Sequence, residues 1–207
     1  MIGIHYNINQ DFTESQNWMQ YENGFTKEEL EKIEADLKDI DFMEAETFGG
    51  KQGMETAKND EQRRSRIKWV PQDAKFGWIY GKLLDMAKDA NSKLWKFDLH
   101  SMPEMIQYTE YDASEKGHYD WHQDIGPGIG SLRKISMTVQ LSAPEEYEGG
   151  VLEYYVGGPL DGEGHTKLMK KQGSVLVFPS YMPHRVTPVT KGIRKSFVLW
   201  LGGSSYK

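Results

Sequence analysis

Apolar positions along the 207 residues follow two different rhythms. In the first half they recur every three or four residues. The stretch "FTKEELEKIEADLKDI" (25–40) opens with Thr26 followed three positions later by Glu29, the pairing of a capping box. Leu30, Ile33 and Leu37 then repeat at helical spacing. "DAKFGWIYGKLLDMAKDANSKLW" (73–95) predicts a second helix, with Phe76, Ile79, Leu83 and Met86 on one stripe and Gly81 as its weak point. That stripe suits packing against a sheet better than it suits a cofactor. From Ile106 onward the rhythm shortens to alternating or β-branched runs: "MIQYTEY", "RKISMTVQL", "GGVLEYYV", "GSVLVFP" and "KSFVLWL". Several short strands punctuated by Gly, Pro and Asp predict an antiparallel barrel or sandwich, mainly β with supporting α. The expected organisation is one domain over 1–207, with helical support and outer strands in 1–100 and the β-core in 101–207.

Two connecting stretches stay open. The Gly-rich, charged segment at 48–62 reads as a mobile loop, either a lid over a substrate or an idle insertion. "RRSRIK" (63–68) reads as a solvated charged strand face in preference to a docking site for an acidic substrate. Gly149 and Gly150 mark a turn or bulge before a strand.

Composition narrows the chemistry. Hydrophobic residues make up 38 % and charged residues 27 %, the balance of an ordinary globule. A net charge of -6 argues against a nucleic-acid backbone as partner. No apolar run is long enough to span a membrane, and the N-terminus lacks the basic start and apolar core of a signal peptide, so a cytoplasmic location is expected. The absence of cysteine removes disulfides, iron–sulfur clusters, thiolate zinc sites and cysteine nucleophiles together. Any metal must be held by nitrogen and oxygen.

"YDWHQD" (119–124) supplies such donors. In an extended segment His122 and Asp124 point to the same face, because side-chain direction repeats every two residues. A third ligand has to arrive from elsewhere, and His184, which follows the apolar run "SVLVF" and a Pro-bounded turn, is the best placed. Two histidines and one carboxylate form the facial triad of non-haem Fe(II) oxygenases, with three metal positions left open. Arg194 starts a later strand and shares a face with Ser196. An arginine turned into a barrel calls for a compensating anion, and its planar fork suits a carboxylate. Ser136, Thr138 and Gln140 alternate with Ile135, Met137, Val139 and Leu141, predicting a sheet with a polar inner face and an apolar packed face. His165 and His118 are expected at the surface. Trp121 either lines an entrance or covers a rim. A non-catalytic jelly-roll binding module and a cupin-like zinc hydrolase are the rival readings.

The strings "QYTEYDASEKGHYDWHQD", "RKISMTVQLSAPEEYEGGVLEYY" and "GSVLVFPSYMPHRVTPVTKGIRKSFVLW", with the preceding "RRSRIKWVP", resemble the 2-oxoglutarate and Fe(II)-dependent dioxygenases. The resemblance is to the prolyl 4-hydroxylase-like group that includes the bacterial PKHD-type hydroxylases. It implies a double-stranded β-helix, or jelly roll, flanked by N-terminal helices. It implies Fe(II) on His122, Asp124 and His184, 2-oxoglutarate and O2 as cosubstrates, and ascorbate as a candidate auxiliary. Arg194 would hold the C5 carboxylate of 2-oxoglutarate, and Tyr111 falls where the family places a site-lining tyrosine. Tyr108, of opposite parity, would face away. Some relatives carry a second anchoring tyrosine where this chain has Gln140, so Gln140 or Thr138 would substitute. Halogenating relatives lack the carboxylate, so Asp124 favours hydroxylation. The implied substrate is a protein or peptide prolyl residue, giving 4-hydroxyproline, with a small molecule as the alternative.

Overall fold

The computed structural model describes residues 17–48, 56–156, 165–167 and 170–204. The first half contains β1 (Met19–Tyr21), α1 (Lys27–Asp36), β2 (Met43–Glu44), β3 (Thr47–Phe48), β4 (Thr56–Ala57), β5 (Arg63–Arg64), β6 (Arg66–Val70) and α2 (Gly77–Lys93). The second half is built of strands: β7 (Leu99–Ser101), β8 (Ile106–Asp112), β9 (His118–His122), β10 (Arg133–Gln140), β11 (Tyr147–Gly149) and β12 (Leu152–Tyr155). They continue with β13 (His165–Lys167), β14 (Val175–Pro179), β15 (His184–Val186) and β16 (Val189–Gly203).

Both expected helices form. The Thr26 hydroxyl accepts from the Glu29 amide while the Glu29 carboxylate accepts from the Thr26 amide, closing the capping box. Ile79, Leu83, Ala87 and Ala90 of α2 are fully buried, and Leu30 and Ile33 of α1 are buried with them. They pack on Ile135, Met137, Val139, Val175, Val177, Phe197 and Leu199, the apolar faces of β10, β14 and β16.

The strands make two antiparallel sheets. The major sheet has nine strands running β1-β14-β10-β16-β8-β6-β2, with β7 and β11 also pairing with β16. The minor sheet runs β13-β12-β15-β9-β5. This is the jelly roll flanked by helices that the sequence implied. In the major sheet, Ile67, Thr109, Ser196 and Gln140 fall in one cross-strand row, and Trp69, Gln107, Val198 and Thr138 in another. These rows face the minor sheet, and the alternate residues face the helices. The polar inner face is therefore carried by three neighbouring strands, β8, β16 and β10, with Ile67 and Trp69 of β6 as its apolar margin.

β16 is longer than the run "KSFVLWL" foretold, because it continues back through Gly192 to pair with β11. Gly192 sits at φ +69 with the Glu146 carbonyl only 2.0 Å from where a Cβ would lie, so no other residue fits there without moving backbone. A register shift falls between Glu148 and Gly149, as the glycine pair implied.

"RRSRIK" is corrected by the structure. Arg64 and Arg66 are exposed, but Arg63 and Lys68 are 7 % exposed, Arg63 facing inward and Lys68 donating to the Leu37 carbonyl at 2.8 Å. A run of charge looked solvated, yet strand alternation and the break between β5 and β6 turn part of it inside. The 48–62 segment is also more ordered at its ends than a mobile loop: β3 pairs with β4, and the Asn59 side chain closes a turn onto Glu61 and Gln62. Residues 49–55, on which the lid question turns, lie outside the described residues.

Candidate metal centre

β9 and β15 are antiparallel neighbours, and their pairing sets His122 directly opposite His184. The sequence separation of 62 residues is thereby reduced to one strand spacing. The two imidazole centroids stand 4.1 Å apart. Asp124 follows the end of β9, where its amide donates to the Ser180 carbonyl at 2.9 Å and its own carbonyl accepts from Arg133 at 3.0 Å. Its carboxylate Oδ2 accepts from the Ser136 hydroxyl of β10 at 2.6 Å. One nitrogen from each histidine and one Asp124 oxygen lie within 4.8 Å of one another. The histidine–carboxylate separations are 3.7 Å to His122 and 3.6 Å to His184. Two donors with bonds of roughly 2.1 Å to one ion can stand at most about 4 Å apart, so both carboxylate pairings fit a single cation.

The protonation states agree with that reading. Nδ1 of His122 lies 2.8 Å from the Asp120 carbonyl, and Nδ1 of His184 lies 2.9 Å from the Met182 carbonyl. A carbonyl only accepts, so each Nδ1 carries a proton, and Nε2 is the ring nitrogen turned toward Asp124. Burial, and then the adjacent His184, push the His122 pKa down to about 3, keeping the ring neutral. Burial works to raise the Asp124 carboxyl, but the adjacent His184, the Arg133 guanidinium and the Ser136 hydroxyl outweigh it and hold the acid below its usual range. A neutral His122 ring and an ionised Asp124 are forms a divalent cation needs. Tyr119 stacks on the His122 ring at 3.4 Å and 8°, and Phe178 meets His184 edge-on at 4.8 Å.

His122, Asp124, His184 and Tyr119 line a cavity of about 320 Å³ that also receives Tyr111, Thr138, Arg194, Ser196 and Trp200 from the major sheet. Arg194 is 2 % exposed and forms no ion pair among the described residues. Its guanidinium donates to Ser196 at 3.4 Å and lies 5.6 Å from the Tyr111 ring centroid. At Gly150, φ +53, a Cβ would stand 3.0 Å from Arg194 Cδ, so glycine leaves room for the arginine stem. Arg133, in contrast, is fully matched: both Glu104 oxygens accept from it at 2.6 Å, and it lies 3.7 Å over Trp200.

A family profile described as "2OG-Fe(II) oxygenase superfamily" matches residues 106–202. A PKHD-type hydroxylase of Gloeothece citriformis is 32 % identical over 177 residues, covering 84 % of this chain and 72 % of its own length. The chain belongs to the PKHD-type hydroxylases. A second member, from Azoarcus sp., is 33 % identical over 150 residues; the match covers 70 % of this chain and 60 % of that protein's length. Among solved structures, a prolyl hydroxylase from Trichoplax adhaerens, in complex with a hypoxia-inducible-factor peptide fragment, matches with a TM-score of 0.71 at 16 % identity. That match covers 92 % of this chain and 85 % of the other. PKHD-type hydroxylases, as 2OG-Fe(II) oxygenases, use Fe(II) and 2-oxoglutarate, and the donor set on β9 and β15 fits the iron.

In this PKHD-type chain the structure brings His122, Asp124, His184, Arg194, Ser196, Tyr111 and Thr138 around one cavity. Tyr108 faces the helices and donates to Glu110 at 2.6 Å. Gln140 is placed differently: its amide donates to the Ser142 carbonyl at 3.0 Å and the Tyr147 hydroxyl at 3.2 Å, beside a smaller space that Arg194 also borders. His118 is half-buried, with its two ring nitrogens each 3.0 Å from a carbonyl. Trp121 is half-buried at the rim, with Arg185 4.7 Å from its ring. For His165 only the backbone position in β13 is described.

Sequence reasoning missed Tyr119 and Arg133, and a common cause hid both. Tyr119 and His122 differ by three positions, which in a regular strand means opposite faces. A register shift opposite His184 and Val186 puts an extra residue into β9, so Tyr119 returns to the face of His122. A second shift between Arg133 and Ile135 turns Arg133 toward the cavity. No single-sequence signal marks either bulge.

No helix among the described residues is long and apolar enough to cross a membrane.

Proposed function

We propose that this chain hydroxylates C4 of a peptidyl proline, with His122, Asp124 and His184 holding Fe(II) and Arg194 receiving the C5 carboxylate of 2-oxoglutarate. The observation that carries the reading is one cavity holding both a three-donor cluster, with both Nε2 atoms turned toward Asp124, and a buried guanidinium that forms no ion pair among the described residues. Iron and 2-oxoglutarate, when bound, supply oxidative decarboxylation to succinate and CO2 coupled to hydroxylation by O2. The chain's own residues position and exclude. The Asp120 and Met182 carbonyls fix the histidine tautomers, and Ser136 aims the Asp124 carboxylate. Ser196 and Tyr111 steady the Arg194 fork, and Thr138 is better placed than Gln140 to meet the same carboxylate, because the Gln140 amide is engaged elsewhere. Trp200 and Leu152 give the cavity its apolar wall.

The prolyl assignment draws its support from the peptide-bound Trichoplax prolyl hydroxylase, whose fold this chain shares. Succinate release should be followed with a panel of proline-containing peptides and free amino acids, together with the mass gain of one oxygen atom in the product. Turnover of a proline peptide is the expected result. Turnover of a small molecule, with every peptide inert, overturns the prolyl assignment and leaves the cofactor reading standing.

A further inference from the structure

The chain has six arginines, and their partners sort them. Arg64 is exposed, donating only to backbone carbonyls. Arg66, Arg133 and Arg185 are each paired with a glutamate, Glu110, Glu104 and Glu153 respectively. The remaining two, Arg63 and Arg194, are 7 % and 2 % exposed, form no ion pair among the described residues, and line the same cavity. A buried guanidinium without an anion is costly, so a fold that keeps one does so for a ligand that brings the charge. The C5 carboxylate of 2-oxoglutarate answers Arg194. It leaves Arg63 unanswered.

From Arg63 and its neighbours we propose a second anion site, one that takes a carboxylate of the prime substrate. The inference rests on the reading that Arg194 serves 2-oxoglutarate. Arg63 Nε donates to the Ser65 hydroxyl at 2.8 Å and one terminal nitrogen donates to Gln107 Oε1 at 2.8 Å. Neither bond uses the other terminal nitrogen. Arginine only donates, so the Gln107 atom that faces it must be the oxygen, and that oxygen also accepts from Thr109 at 3.3 Å. The acceptor of Gln107 is thus spent and its NH2 group, on a residue that lines the cavity, is available to donate. Glu44 and Glu104 line the same cavity but are paired with Lys58 and Arg133, and Glu46 lines it without an ion pair to Arg63, so the Arg63 and Gln107 donors remain for a carboxylate. Its place suits a substrate group near the metal: the Arg63 guanidinium carbon lies 4.8 Å from the centroid of Tyr119, the ring stacked on His122. The substrate carries its carboxylate either as a free amino acid or as an acidic side chain of a peptide.

Anaerobic protein loaded with Fe(II) and 2-oxoglutarate should be titrated calorimetrically with L-proline against L-prolinamide. A second pair, N-acetyl-prolyl-aspartyl amide against N-acetyl-prolyl-asparaginyl amide, distinguishes the free amino acid from the acidic peptide. In one pair the carboxylate form should bind about tenfold or more tightly than the amide. Arg63→Gln should bring that ratio close to one, and Arg63→Lys, which keeps the charge but loses the fork, should retain a reduced preference. A wild-type protein that binds neither carboxylate probe, or does not prefer carboxylate over amide in either pair, overturns the proposal. So does an Arg63→Gln protein that is folded and keeps the preference. If 2-oxoglutarate itself does not bind, the Arg194 reading fails separately, and the Arg63 preference is then read on the protein alone.

Discussion

Arg194→Met separates the two things this arginine does to the molecule. Without ligand, a guanidinium 2 % exposed keeps its charge away from water with only Ser196 at 3.4 Å and the Tyr111 face at 5.6 Å to receive it. Replacing buried charge by an apolar side chain of similar volume is commonly neutral or stabilising by roughly 1–4 kcal/mol. Loss of the cation–π contact returns about 0.5–2 kcal/mol of that. The net expectation is a ligand-free variant about as stable as wild type or up to roughly 3 kcal/mol more stable. For a chain of this size each kcal/mol moves the thermal midpoint by roughly 2–4 °C, so any such rise is measurable. Binding moves the other way. Truncating one partner of a buried charge pair costs about 2–5 kcal/mol, a loss of roughly thirtyfold or more in affinity for 2-oxoglutarate. Thermal unfolding should be followed anaerobically with Fe(II) present, with and without 2-oxoglutarate at about one hundred times its wild-type dissociation constant. Wild type should gain about 2.7 kcal/mol from the ligand and Arg194→Met at most about 0.9 kcal/mol. A variant that melts well below wild type without ligand, or that gains as much from 2-oxoglutarate, refutes the argument.

Three further perturbations probe other parts of the account. Ser136→Ala removes the hydroxyl that aims Asp124 and should weaken Fe(II) binding by about 10- to 100-fold in chelator competition; unchanged affinity would show that Ser136 does not orient the ligand. Leu83→Ala opens a cavity under α2 at a residue 0 % exposed and should cost about 2–5 kcal/mol by urea unfolding, so a loss below about 1 kcal/mol would mean the helix is not seated as described. Burial works to raise Glu29, but Lys82 and the Thr26 amide outweigh it and hold the carboxyl below the usual glutamate range. A depressed folded-state pKa gives stability that is present above the unfolded value and lost as pH falls through the folded one. Glu29→Gln should therefore be about 1 kcal/mol less stable than wild type near neutral pH, with the gap closing below pH ~4; a gap that persists or widens in acid contradicts the assignment.

The sequence made some of this architecture readable and hid the rest for definite reasons. The capping box at Thr26 and the Phe76–Leu83 stripe are local patterns, and local patterns survive folding. The alternation of Ser136, Thr138 and Gln140 with Ile135, Met137 and Val139 gave away a sheet with one polar face. His184 stood out because an apolar strand leads into it, but its position opposite His122 is a pairing between segments 62 residues apart. Tyr119 and Arg133 were hidden by bulges that reverse strand parity, and Glu104 by the lack of any pattern linking it to Arg133. Arg63 was misread because charge density looks the same whether a strand lies on the surface or turns one arginine inward.

Anaerobic titration of Fe(II) and 2-oxoglutarate into wild type, Asp124→Ala and Arg194→Met, followed by visible absorbance, tests the central claim most directly. The account predicts a weak charge-transfer band in wild type that needs both additions, is missing in Asp124→Ala, and in Arg194→Met appears only at far higher 2-oxoglutarate. Absence of the band in wild type, or an undiminished band in Asp124→Ala, would contradict the assignment of His122, Asp124 and His184 as the iron site.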